Sequence, residues 1–103
     1  MQVDILYFEG CPNSALTRVR VHEAMASRGV VADVRMIEIR DADQAIAQQF
    51  LGSPTVRIDG QDAEPAARLR DDYGFMCRTY RASDNSMGGA PPVQLISEAL
   101  RDR

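Results

Sequence analysis

The sequence contains no lysine, because all 12 of its basic residues are arginines. Schiff-base chemistry and catalysis by a lysine general base are therefore excluded. Histidine is almost as scarce, with His22 alone, and there are two cysteines, Cys11 and Cys77. These are too few ligands for a structural zinc site of four cysteine or histidine residues within one chain.

Strong charge and long apolar runs are also missing. The net charge of -3 at pH 7 indicates no basic surface, so we expect no nucleic-acid partner. No apolar run approaches the roughly 18 residues that a membrane span needs, so we expect no membrane partner. The first ten residues are too acidic, and their apolar stretch too short, for a secretion signal, and we expect a cytoplasmic location.

The pattern of apolar residues predicts one α/β domain that spans residues 1–103. The predicted order of elements is β-α-β-α-β-β-α. Its strands span residues 3–8, 30–39, 55–58 and 75–81, and its helices span residues 12–28, 41–52 and 91–103. The first β-α-β unit requires a parallel crossover, and the last two strands form an antiparallel hairpin. We therefore expect a four-stranded mixed sheet covered by helices on both faces.

The stretch FEGCPNS, residues 8–14, places Cys11 between the first strand and the first helix, directly before Pro12. The N-terminus of a helix presents unpaired N–H groups and roughly half a positive charge, which favour a thiolate. Because the thiolate is the nucleophilic form, this position predicts a reactive cysteine. The alternative is a buried and inert residue, since free cysteines are among the most buried residue types.

A second stretch, GSPTVRIDG at residues 52–60, places Pro54 immediately before the third strand. Cys-Pro, Ser-Pro-Thr and the order of elements together resemble the thioredoxin superfamily. The resemblance implies a cis Ser53–Pro54 bond, with Pro54 near Cys11 and the backbone of Ser53 free to pair with a substrate. It also implies thiol–disulfide chemistry without an organic cofactor, with substrate contacts from Pro12, Asn13, Ser53 and Thr55.

Two further stretches, YFEGCPN near the start and CRTYR before the last helix, resemble a narrower group of small bacterial thioredoxin-like proteins. Some of that group carry an alkylmercury-lyase label. Organomercurial lyases need two cysteines and an aspartate around one mercury, whereas Ser14 stands three residues after Cys11. The resemblance therefore implies the fold more strongly than the lyase activity.

Ser14 stands where a Cys-x-x-Cys motif would have its second cysteine. We expect its hydroxyl to donate to the Cys11 thiolate, but a mixed disulfide must be resolved by Cys77, by an external thiol, or not at all. The predicted hairpin places Cys77 roughly 10–13 Å from the active-site end of its strand, whereas a disulfide needs Cα atoms within about 7 Å. We therefore expect Cys77 to be covered, inert and not bonded to Cys11.

Other titratable residues are assigned to the scaffold. His22 lies about three helical turns from Cys11, roughly 16 Å along the helix, which favours a structural role over a Cys–His pair. Asp71 and Asp72 are predicted to lie in a solvated loop.

Three interpretations of function follow from the sequence. The first is a candidate thiol–disulfide oxidoreductase, in which Cys11, assisted by Ser14 and Pro54, forms mixed disulfides with a protein or small-molecule thiol. The second is a soft-metal or organomercury site that uses Cys11 and Cys77. The third is a non-catalytic interaction domain. The sequence does not specify the substrate, the reductant or the oligomeric state.

Overall fold

The computed structural model describes residues 1–101 and contains a four-stranded mixed sheet. Strand β1 (Gln2–Tyr7) pairs in parallel with β2 (Asp33–Glu38) and antiparallel with β3 (Thr55–Ile58). Strand β4 (Gln61–Asp62) pairs antiparallel with β3, so the order across the sheet is β2-β1-β3-β4. The predicted α/β class and the mixed four-stranded sheet are confirmed.

Three α-helices accompany the sheet: α1 (Ser14–Arg28), α2 (Ala42–Ala47) and α3 (Val93–Arg101). Helix α1 begins two residues later than predicted, and α2 is shorter than its predicted span. The last two residues of the predicted final helix, 102 and 103, lie outside the described residues. None of the helices within residues 1–101 has the length and apolar character needed to cross a membrane.

Local signals in the sequence set the helix ends. Gly29 ends α1 in the left-handed region, with φ of 64°, where glycine carries no Cβ penalty. Asp41 caps α2, and its carboxylate accepts a hydrogen bond of 2.8 Å from the N–H of Gln44. This bond satisfies one of the free donors of the first helical turn.

The side chains of β1 enter two separate apolar cores, because successive side chains of a strand point to opposite faces. Val3 and Ile5 pack with residues of α1 and α3, whereas Leu6 packs with Ala45 of α2 and with Phe50. These five side chains are almost completely buried. The two cores hold β1 in the middle of the structure, and the chain leaves its end in a turn that leads to α1.

The fourth strand differs from the prediction. Residues 75–81 do not form it, and the position beside β3 is taken by β4. The reason is the two-residue turn at Asp59 and Gly60, whose φ angles of 49° and 85° suit a tight hairpin that returns the chain at once along β3. Within residues 75–81, only Tyr80–Arg81 is a strand, β5, and it pairs with β6 (Met87–Gly88) in a separate two-stranded sheet.

Residues 74–78, here called the Cys77 segment, run beside residues 50–53 instead. The N–H of Gly74 donates to the carbonyl of Phe50 at 3.0 Å. Further along, Ser53 forms an isolated parallel bridge with Cys77. The segment is therefore attached to the loop between α2 and β3.

Arg78 holds the Cys77 segment to the sheet through a buried ion pair. Its guanidinium donates to the carboxylate of Asp62 at 2.7 and 3.0 Å and to Glu64 at 3.3 Å, and the residue is only 3% exposed. It also lies over the ring of Tyr80, 4.6 Å from the ring centroid. Burial lowers the pKa of Arg78, but hydrogen bonding to Asp62 and the nearby negative charges outweigh it, so the pKa is raised and the charge is retained.

Replacing Arg78 with methionine should destabilise the protein strongly, because the buried Asp62 carboxylate loses its counter-ion. We expect the free energy of unfolding in urea to fall by about 3–5 kcal/mol. The matched control is Arg35→Met, which removes a 3.1 Å ion pair with Asp4 from a side chain that is 59% exposed, and it should change stability little. Equal losses in the two variants would contradict the role assigned to Arg78.

Candidate functional site

Cys11 lies in the turn that joins β1 to α1. Its N–H donates to the carbonyl of Phe8 at 3.2 Å, and the residue is 9% exposed. Helix α1 begins three residues later, at Ser14, and Asn13 precedes it as the cap residue. Cys11 therefore stands just before the helix, where the sequence predicted the nucleophile, and it is largely covered.

Ser14 does not contact the sulfur in the predicted way. Its hydroxyl donates to the main-chain carbonyl oxygen of Cys11 at 3.2 Å. In the first turn of α1, the hydroxyl of Thr17 donates to the carbonyl of Asn13 at 2.7 Å. Both hydroxyl groups hold the backbone of the turn, so Ser14 positions Cys11 without donating to its thiolate.

Ser53 connects this turn to the Cys77 segment. Its side-chain oxygen accepts a hydrogen bond of 3.3 Å from the N–H of Phe8. Its own N–H donates to the carbonyl of Met76 at 2.8 Å, and its carbonyl accepts from the N–H of Arg78 at 3.0 Å. The expectation of a free Ser53 backbone is therefore wrong, because the chain's own segment occupies both groups.

Pro54 and Thr55 continue the same buried stretch. The Ser53–Pro54 peptide bond is cis, as predicted, and the carbonyl of Pro54 accepts a hydrogen bond from the hydroxyl of Tyr80. Burial raises the pKa of Tyr80, which keeps the phenol protonated as the donor of this bond. Thr55 is fully buried and donates to the carbonyl of Gly52 at 2.7 Å, so it holds the loop instead of offering the predicted substrate contact.

The close approach of the Cys77 segment requires glycine at position 52. Gly52 has a φ of 120°, and a Cβ added there would lie 2.9 Å from the Cβ of Arg78. It would also lie 3.2 Å from the carbonyl oxygens of Met76 and Cys77. No other residue fits without displacing the segment.

Cys77 is exposed, which contradicts the prediction of a covered residue in a strand. The predicted separation from Cys11 assumed a hairpin between residues 55–58 and 75–81, and that hairpin does not form. Cys77 lies instead directly opposite Ser53. Both cysteines are free thiols.

Two further contacts surround the turn that carries Cys11. The ring of Phe75 stacks on the ring of Phe8, with 4.9 Å between centroids and 25° between planes. Gly89 lies so close to Asn13 that a Cβ at position 89 would be 2.2 Å from the side-chain nitrogen of Asn13. Pro12 remains exposed between these contacts, so the turn is open to solvent at Pro12.

The remaining candidates lie on the surface. His22 is exposed on α1, beside a shallow groove that also includes Tyr7 and Met36. Asp72 forms an ion pair of 2.8 Å with Arg70, and this hydrogen bond lowers the pKa of the Asp72 carboxyl. Asp71 and Asp72 are both exposed, as expected for a solvated loop.

Metal ligands are sparse. Within residues 1–101, no three histidine, cysteine, aspartate or glutamate side chains lie close enough together to hold a metal ion. A soft-metal site in this part of the chain would therefore have to use Cys11 and Cys77 without a third such ligand.

Comparison of the chain with protein-family models, with curated proteins and with solved structures finds no match. The function must therefore be inferred from the geometry of the site. That geometry consists of Cys11 in its turn, Ser53 bonded to the same turn, and the Cys77 segment bonded to Ser53.

Accessibility of the two thiols can be measured with a bulky maleimide, located by peptide mass spectrometry. We expect Cys77 to be labelled before Cys11, because Cys77 is exposed and Cys11 is largely covered. In the variant Gly52→Ala, the added methyl group should displace the Cys77 segment and increase the labelling rate of Cys11 several-fold.

The matched control for this experiment is Gly88→Ala, because a Cβ at position 88 meets no atom within 4 Å. It should leave the labelling rate of Cys11 unchanged. An unchanged rate in folded Gly52→Ala would show that the Cys77 segment does not cover Cys11.

Proposed function

We propose that the protein is a thiol-redox protein of thioredoxin-like arrangement, in which Cys11 is the nucleophile that forms mixed disulfides. The observation that carries the proposal is the position of Cys11 between a buried central strand and the start of α1, in a turn bonded to Ser53. The parallel β1-α1-β2 unit and the antiparallel β3 support the thioredoxin-like arrangement.

The chemistry of this position is a thiol–disulfide exchange. The exchange begins with the thiolate of Cys11, because the thiolate is the nucleophilic form of a cysteine. That thiolate attacks one sulfur of a substrate disulfide, the substrate S–S bond breaks, and a Cys11–substrate disulfide forms. The other half of the substrate leaves as a thiolate and takes a proton from water, and Cys11 has lost its own proton to solvent.

The structure favours a compact substrate over an extended peptide. Both backbone groups of Ser53 are already bonded within the chain, so an extended strand cannot pair there while the Cys77 segment is in place. The exposed side at Pro12 and the half-buried Asn13 remain as the approach to Cys11. A small disulfide, or a disulfide on a protruding loop, fits this approach.

A non-catalytic interaction domain is the second candidate, and the closed backbone of Ser53 favours it. The two candidates differ in the reactivity of Cys11. A redox protein needs a Cys11 that reacts faster in the folded chain than in the unfolded one. We place the redox function in the cytoplasm, where thiols are kept reduced.

The reactivity of Cys11 can be tested in the variant Cys77→Ser, which leaves one thiol. The reduced variant is mixed with bis(2-hydroxyethyl) disulfide, quenched with acid and analysed by mass spectrometry. We expect one mixed disulfide, at Cys11, that forms faster in the native protein than in urea, because only the folded chain supplies the helix N-terminus. Slower reaction of the native protein than of the unfolded one would contradict the redox function and support the interaction domain.

A further inference from the structure

The two cysteines lie around the same residue, Ser53. Cys77 is its partner in the parallel bridge, and paired strands lie about 4.8 Å apart. Ser53 in turn accepts a hydrogen bond from Phe8, whose carbonyl accepts the N–H of Cys11. One bridge and two hydrogen bonds therefore connect the backbone of Cys77 to that of Cys11.

The side chain of Cys77 lies on the face of the Cys77 segment that meets the turn of Cys11. Phe75, two residues earlier, stacks on Phe8 of that turn, and alternate side chains of an extended chain share a face. Arg78, the next residue, is buried in its ion pair with Asp62, whereas Cys77 is exposed. The stacking of Phe75 therefore indicates that the side chain of Cys77 lies on the side of the segment that faces Phe8.

Ser53 supports the same orientation. Its side-chain oxygen is directed at the N–H of Phe8, and residues paired across a bridge place their side chains on the same face. Cys77 is also exposed, so an external reductant can reach it. Arg78 and Gly52 hold the segment in this position.

We propose that Cys77 is the resolving thiol of Cys11. This inference rests on the proposed function and names its second cysteine. The thiolate of Cys77 attacks the Cys11 sulfur of the mixed disulfide, the bond to the substrate breaks, and a Cys11–Cys77 disulfide forms. The substrate half leaves as a thiolate and is protonated by water. In total, one substrate disulfide is reduced to two thiols and the two cysteines are oxidised to one disulfide, which an external dithiol reduces again.

The test uses the reduced full-length protein and bis(2-hydroxyethyl) disulfide, with quenching by acid and measurement of the intact mass. We expect the wild type to lose two hydrogens, to keep no adduct, and to release two equivalents of 2-mercaptoethanol. The peptides of Cys11 and Cys77 should be linked after digestion. The variant Cys77→Ser should keep one adduct at Cys11 and release one equivalent.

A positional control is the double variant Cys77→Ser/Thr79→Cys, which moves the thiol two residues along the chain, about 7 Å. Like Cys77→Ser, it should keep an adduct at Cys11, and it should not form an internal disulfide. Closure as fast as in the wild type would overturn the inference, because the position of Cys77 would then be unimportant.

Comparison of the adducts in the wild type and in Cys77→Ser also distinguishes a failure of this inference from a failure of the proposed function. A stable adduct at Cys11 in both the wild type and Cys77→Ser would overturn the role of Cys77 and leave the redox function intact. Absence of any bond at Cys11 in both proteins would overturn the proposed function and the inference together.

Discussion

The buried guanidinium of Arg78 is the interaction on which the rest of the site depends. An unpaired charge in this position would be strongly unfavourable, so the chain must bring Asp62 and Glu64 to it. Asp62 lies in β4 and Arg78 ends the Cys77 segment. The ion pair therefore fixes a stretch with almost no regular secondary structure against the edge of the sheet.

The consequence for chemistry is a site closed on one side by the protein's own chain. Met76 and Arg78 occupy the backbone groups of Ser53, and this arrangement excludes an extended partner from that place. The same bridge puts an exposed thiol opposite Ser53, whose side chain is bonded to Phe8. The packing of the Cys77 segment against Ser53 therefore both closes the backbone of Ser53 to a partner and determines the position of Cys77.

Sequence patterns predicted the features that depend on neighbouring residues, such as the cap at Asp41, the turn at Asp59 and the position of Cys11 before α1. They failed for residues 75–81, whose apolar and β-branched composition is typical of a strand. The partners of that stretch are distant in sequence, and its central arginine is buried only because Asp62 neutralises it. No local signal marks such a pairing, so the exposure of Cys77 could not be predicted.

The most direct test is amide hydrogen exchange, measured by NMR under native conditions. The central claim is that the Cys77 segment is hydrogen-bonded to both the N–H and the carbonyl of Ser53. It predicts that the N–H groups of Ser53 and Arg78 exchange slowly, at rates near those of β3, because both are buried hydrogen-bond donors. Exchange of both amides at the rate of an unstructured peptide would contradict the claim, since the backbone of Ser53 would then be open to a substrate.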